Sequence, residues 1–141
     1  MATYNKFNAF VEALAEKVHN LGSDTLKVYL SNATPDAATD AVKADLAEIS
    51  AGNGYTAGGN TAAQTSSSQT GGTYKLVLAD PATWTATGGT IGPFRYAVLY
   101  NDTTASKNLI AWWDYGTSIT LSAGDTFAVD FDPTTGVLTI A

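Results

Sequence analysis

The sequence contains no cysteine and a single histidine, His19. The first absence removes disulfide frameworks, thiol nucleophiles and zinc–thiolate sites. The second leaves a histidine-based triad, a two-histidine metal site or a facial triad impossible or incomplete. Charge is scarce as well. Only 14% of the residues are Asp, Glu, Lys or Arg, and seven basic residues stand against thirteen acidic ones, for a net charge of −6. Such a chain lacks the electrostatic footprint of a nucleic-acid binder, and an anionic membrane surface would repel it. No apolar run approaches the roughly 20 residues that a membrane helix needs. The opening MATYNKFNAF has no basic stretch followed by an apolar one, so no secretory signal is visible and synthesis in the cytosol is expected.

What is present is small, neutral and aromatic. At 141 residues the chain is long enough for one sizeable core, and 45% of it is hydrophobic. Thr, Ala, Ser, Asn and Gly replace charge as surface material, which suits close packing against other protein subunits. From Trp84 to Asp132 the segments WTATGGTIGPFRYAVLYNDTT, NLIAWWDYG and SITLSAGDTFAVDFD alternate strand-forming residues with glycine turns. Aromatic and β-branched residues fit a pleated, half-buried surface, so this reads as an antiparallel meander.

The N-terminal region reads as an amphipathic helix within residues 1–22. Phe7, Phe10, Val11, Leu14, Val18 and Leu21 form one apolar stripe at helical period, with Asn5 as N-cap and Gly22 just past the C-terminus. Residues 23–60 follow as a strand, a short helix and a glycine-rich loop. Leu26 to Ser31 alternates as a half-buried strand. Asp40 to Ile49 reads as the second helix, capped by Thr39 or Asp40, with Val42, Leu46 and Ile49 on its apolar face. The phrase GNGYTAGGN lacks the ending and the strand-to-helix setting of a phosphate loop, and reads as a helix stop. Residues 61–141 form the meander, opened by a Gly71-Gly72 hairpin between a Thr/Ser-rich strand and Thr73 to Ala79. Phe94, Tyr96, Val98 and Tyr100 are expected on one face of the next strand, opposite Arg95, Ala97 and Leu99. The main core is expected from Phe94, Tyr96, Val98, Leu109 or Ile110, Ile119, Leu121, Phe127, Val129 and Phe131. The expected whole is a single domain over 1–141 of mainly β (α+β) class. Its body is an antiparallel β-sandwich or jelly-roll-like arrangement of about seven to nine strands with two short helices.

Few residues invite chemistry. His19 reads as a solvent-side helix residue. Asp130 and Asp132 share one side of a strand, about 6–7 Å apart at a rise of ~3.3 Å per residue, close enough for an ion or an acid–base pair. A solvated acidic face, with Asp132 leading the turn at Pro133, accounts for them more simply. Arg95 is expected to pair structurally, Asp114 being one partner. Trp112 and Trp113 are adjacent on a strand and so face opposite ways. One should enter the core while the other, with Tyr115 beside Trp113, meets solvent or a partner. Tyr4, Phe7, Trp112, Trp113 and Tyr115 are therefore the candidate interface residues. No catalytic, cofactor-binding or metal-binding set is assigned, and no enzymatic activity is expected.

The series LKVYLSNATP, AVKADLAEI and GYTAGGN, then WTATGGTIGPFRYAVLYNDT and LIAWWDYGTSITLSAGDTFAVDFD, resembles small structural proteins of tailed bacteriophage virions over nearly the whole chain. Within that group it is most similar to capsid decoration (cement) proteins. The resemblance implies a virion component without catalytic residues. It would bind and stabilise the major capsid lattice, with self-association, for instance as a trimer. The competing expectation is a tail- or fibre-associated receptor- or carbohydrate-binding module using Trp113 and Tyr115, or a loop aromatic such as Tyr55.

Overall fold

The computed structural model describes residues 2–141. Among them are ten strands and one α-helix, in the order β1 (Tyr4–Lys6), α1 (Asn8–Ala15), β2 (Leu26–Ser31), β3 (Asn60–Thr61), β4 (Gln64–Thr70), β5 (Thr73–Leu78), β6 (Trp84–Thr85), β7 (Ile91–Asn101), β8 (Leu109–Leu121), β9 (Thr126–Phe127) and β10 (Leu138–Ile140). The protein is mainly β, and all strand pairs are antiparallel. Five strands form the sheet β1-β8-β7-β2-β3, three form β10-β5-β4, and β6 pairs with β9. All three sheets contribute to one core, with Val28, Leu30 and Leu99 from the first, Leu76 and Leu138 from the second and Trp84 from the third.

The five-stranded sheet is buried on both faces at its centre. Its second face carries Tyr29, Tyr96, Val98, Tyr100 and Leu109, covered by Phe7 and Leu46. The assignment of residues to faces departs from simple alternation, because a one-residue slip in register turns every later side chain over. One shift lies between Phe94 and Tyr96. It sends Phe94 into the main core with Ala97 and Leu99, leaving Tyr96, Val98 and Tyr100 on the other face. The expected grouping of Phe94 with those three is thereby corrected. A second shift pairs Leu99 with Ala111 but Tyr100 with Leu109, so Ile110 is the extra residue and both Ile110 and Ala111 turn to the main core. Of the expected core, Ile119, Phe127 and Val129 are only partly buried.

Both expected helices are corrected. The first spans eight residues, not some sixteen. Asn5 is drawn into β1, where it pairs with Trp112, and Phe7 occupies the N-cap position. The helix stops where Lys17 takes a φ of +67° and the Val18 N–H reaches back to the Ala13 carbonyl. Val11 is 51% exposed and Phe10 is the helix's one buried residue. Asp40 to Ile49 holds only a 3-10 turn, Lys43–Asp45. There the aspartates satisfy backbone N–H groups locally: Asp45 accepts from Ala41 and Val42, and Asp40 accepts from Asp36. Such side chains compete with helix formation. Two further backbone bonds tie this segment to strands, from Leu109 N to Ala41 O and from Ile49 N to Leu30 O. The Gly71-Gly72 hairpin is as expected, with both glycines at positive φ and Thr70 paired with Thr73. β8 runs unbroken where two strands were expected, whereas the strand expected to reach Phe131 ends at Phe127.

Candidate functional site

An aromatic groove of about 370 Å³ opens along β8. Alternation places Trp113 and Tyr115 on one side of the strand, and both line it. The facing wall is the segment from Phe127 to Asp132, and Tyr4 closes the groove from β1. The rings support one another edge to face or tilted. Centroids lie 5.8 Å apart for Tyr4 and Trp113, 5.3 Å for Trp113 and Phe131, and 5.8 Å for Tyr115 and Phe127. Beneath them Phe127 meets the buried Phe94 at 4.9 Å. The groove thus rests on packed sheet while Tyr115, 55% exposed, faces outward. Burial pushes the Tyr4 hydroxyl pKa up to about 12, so that ring stays neutral.

Polar groups stand at the rim. Arg95 holds Asp114 by two hydrogen bonds of 2.7 and 2.8 Å, the pairing the sequence suggested. The guanidinium keeps the Asp114 carboxyl below its ordinary range, and the carboxylate in turn raises Arg95. Asp132 Oδ1 accepts from the Thr134 and Thr135 N–H groups at 2.7 and 3.3 Å, which lowers its pKa. Asp130 is exposed and makes no ion pair among the described residues. A second, shallower groove of about 700 Å³ runs between Val11 and Leu14 of α1 and the strand β10.

The structure divides the sequence-derived candidates. Tyr4, Trp113 and Tyr115 share the groove. Phe7 is wholly buried and cannot serve an interface as the chain stands. Trp112 packs on Phe7 at 4.5 Å, on the opposite face from Trp113. The two indoles do face opposite ways, yet both are half-buried, because the N-terminal segment lays Phe7 over one and Tyr4 against the other. Tyr55, considered for carbohydrate, is a core residue.

His19 is also corrected, since it lies past the end of α1 and is only 5% exposed. Asn101 at the end of β7 donates from Nδ2 to Asp24 Oδ2 at 2.6 Å and faces His19 Nδ1 at 3.1 Å. The amide nitrogen makes Nδ1 the acceptor and leaves the ring proton on Nε2, which has no protein partner. Burial lowers the His19 pKa, and the neighbouring Asp24 charge partly opposes this. The group fastens the chain after α1 to the sheet.

Sequence reasoning missed the polar framework under the second core face. Glu48 Oε1 accepts from the Tyr55 hydroxyl at 2.7 Å and from Gly58 N at 2.6 Å, while Oε2 pairs with Lys43 Nζ at 2.5 Å. Tyr55 accepts from Leu30 N, and Tyr29 and Tyr100 donate to the carbonyls of Leu46 and Gly58. The glycine phrase is what permits this. A Cβ on Gly59, at φ +68°, would sit 1.9 Å from the Val28 carbonyl oxygen. Among the described residues no three His, Cys, Asp or Glu side chains gather as a metal site, and no helix is long and apolar enough to cross a membrane. Comparison of the chain with known protein families, curated proteins and solved structures finds no match to any of them.

Proposed function

We propose that the protein is a structural component of a tailed-phage particle, a decoration protein that docks on the major capsid lattice and braces it. The observation that supports this most is the aromatic groove, a set of partly exposed rings held on packed antiparallel sheets. Interface energy concentrates in a few aromatic anchors set among near-neutral contacts, and Trp113 and Tyr115 have that form. The neutral Thr/Ser/Asn surface suits contact with neighbouring subunits, and copies repeated by symmetry or self-association gain avidity from modest individual contacts. The resemblance in the sequence points the same way.

A tail-borne carbohydrate-binding module is the second reading. It is favoured by the two rings side by side on β8, which could stack on sugar. Quantifying the chain in purified particles separates the two. A lattice protein is expected at a copy number on the order of hundreds, following capsid symmetry. Particles lacking it should release DNA at a lower temperature. A handful of copies, with unchanged release temperature and lost host adsorption, would overturn the decoration reading.

A further inference from the structure

Among the described residues, the unpaired charge lining the docking groove is of one sign only. Arg95, its one basic lining residue, is already satisfied by Asp114. Asp130 and Asp132 line the same groove with no ion pair among the described residues, and Asp132 keeps Oδ2 free of the turn bonds that occupy Oδ1. Among the described residues, two negative charges therefore stand without a cationic partner beside the aromatic rings.

An apolar partner segment seated there would strip water from both carboxylates without replacing their hydrogen bonds, which is costly. An acidic segment or a nucleic acid would be repelled. A neutral sugar would use the rings and leave the charges unanswered. A cation answers both features at once, because its alkyl stem or guanidinium plane covers the rings while its charge meets the carboxylates.

We propose that the groove takes a basic, extended peptide segment of the partner protein, with a lysine or arginine side chain lying over Trp113 and Tyr115 and its charge directed to Asp130 and Asp132. The inference rests on the reading of the groove as a docking surface and gives that surface its partner chemistry. The net charge of −6 steers the encounter in the same sense. Asp130 and Asp132, set aside on the sequence as a solvated acidic face, then supply the selectivity.

The test is an array of short randomised peptides, probed with the intact chain and with two variants, Asp130→Asn/Asp132→Asn and Tyr115→Ala. All three substituted residues are exposed, and near-ultraviolet circular dichroism checks that each variant keeps its fold. Bound peptides should be enriched in Lys and Arg. Their affinity should fall about tenfold or more for the Asn double variant and for Tyr115→Ala, and it should weaken with salt. The proposal is overturned if bound peptides carry no basic bias, if the double variant binds them as tightly as the parent, or if no peptide binds. Binding of cellotetraose, read by tryptophan fluorescence and lost in Tyr115→Ala, with no basic peptide bound, would overturn it in favour of a glycan. Because the array contains no particle, its outcome is independent of the copy-number experiment. A basic preference together with absence from the capsid would leave the groove chemistry standing and remove the decoration reading.

Discussion

Two groups of aromatic residues lie on opposite faces of the five-stranded sheet, and only one of them is closed. On the closed face Tyr29, Tyr96 and Tyr100 sit under Leu46 and Phe7. The hydroxyls of Tyr29 and Tyr100 donate to backbone carbonyls, and Lys43 Nζ lies 4.9 Å from the Tyr29 ring centroid. Burial, reinforced by nearby carboxylates, raises both hydroxyl pKa values, so neither ionises at ordinary pH. On the open face Trp113 and Tyr115 have packed aromatic neighbours but no lid, and two carboxylates beside them have no ion pair among the described residues. The same residue chemistry thus gives structure where the Tyr29 and Tyr100 hydroxyls are bonded and the rings are covered, and a recognition surface where the cover is lacking.

The comparison breaks most readily at Tyr29. Replacing it with Ala should cost about 3–5 kcal/mol in chemical denaturation, the usual range for a buried large aromatic, because the residue is wholly buried and its hydroxyl holds the Leu46 carbonyl. A loss below about 1 kcal/mol would mean that the 32–50 segment is not clamped on this face and that the two faces are alike.

How far the sequence discloses these faces depends on whether a local rule or a distant contact decides. The hairpin at Gly71-Gly72 is legible because two adjacent glycines can both take positive φ, as a primed turn needs. Arg95 and Asp114 are legible as opposite charges on neighbouring strands. Trp113 and Tyr115 are legible as alternate residues of one strand. The two helices are misread for a shared reason. Their apolar spacing is real, but backbone pairing to β8 takes Asn5, and aspartate side chains take the N–H groups near residue 40. The face of Phe94 turns on a register shift opposite Gly116, at φ +99°, and a lone glycine within a strand does not say how many residues are inserted. Glu48 finds its partners Lys43, Tyr55 and Gly58 close by in sequence but across irregular loop, so periodicity cannot show them. His19 is misplaced because the helix ends early and its partner is Asn101, 82 positions away.

The seam between the faces gives a second, smaller effect. One N-terminal segment supplies Phe7 to the closed face and Tyr4 to the open one, and the chain that follows α1 is fastened at His19. In the unfolded chain His19 titrates near 6.5, while burial lowers its folded value. Between those values the unfolded state binds more protons. Stability therefore falls as pH drops below about 6.5 and levels off beneath the folded pKa. The lowered carboxyls Asp36, Asp45, Asp102, Asp114 and Asp132 act in a separate window, since their contribution is intact above 3.8 and lost only as pH falls through their folded values. Denaturation midpoints measured between pH 7 and pH 5 should decline for the parent. They should decline clearly less for His19→Gln, which loses the titrating ring. Parallel curves for the two proteins would place the acid sensitivity elsewhere.

The smallest expected effect on stability is at Tyr115. It is more than half exposed, and its principal ring contact is Phe127, itself only partly buried. Tyr115→Ala should cost less than about 1 kcal/mol, because little apolar area leaves a protein environment and no buried polar group loses a partner. The same substitution removes a ring from the proposed binding surface and should abolish most peptide binding there. Stability and binding are thus expected to separate at Tyr115, whereas at Tyr29 any loss of binding would follow from loss of fold. If Tyr115→Ala destabilised the protein as strongly as Tyr29→Ala, the groove would be core that happens to reach the surface. The contrast between a closed face and an open one would then carry no functional meaning.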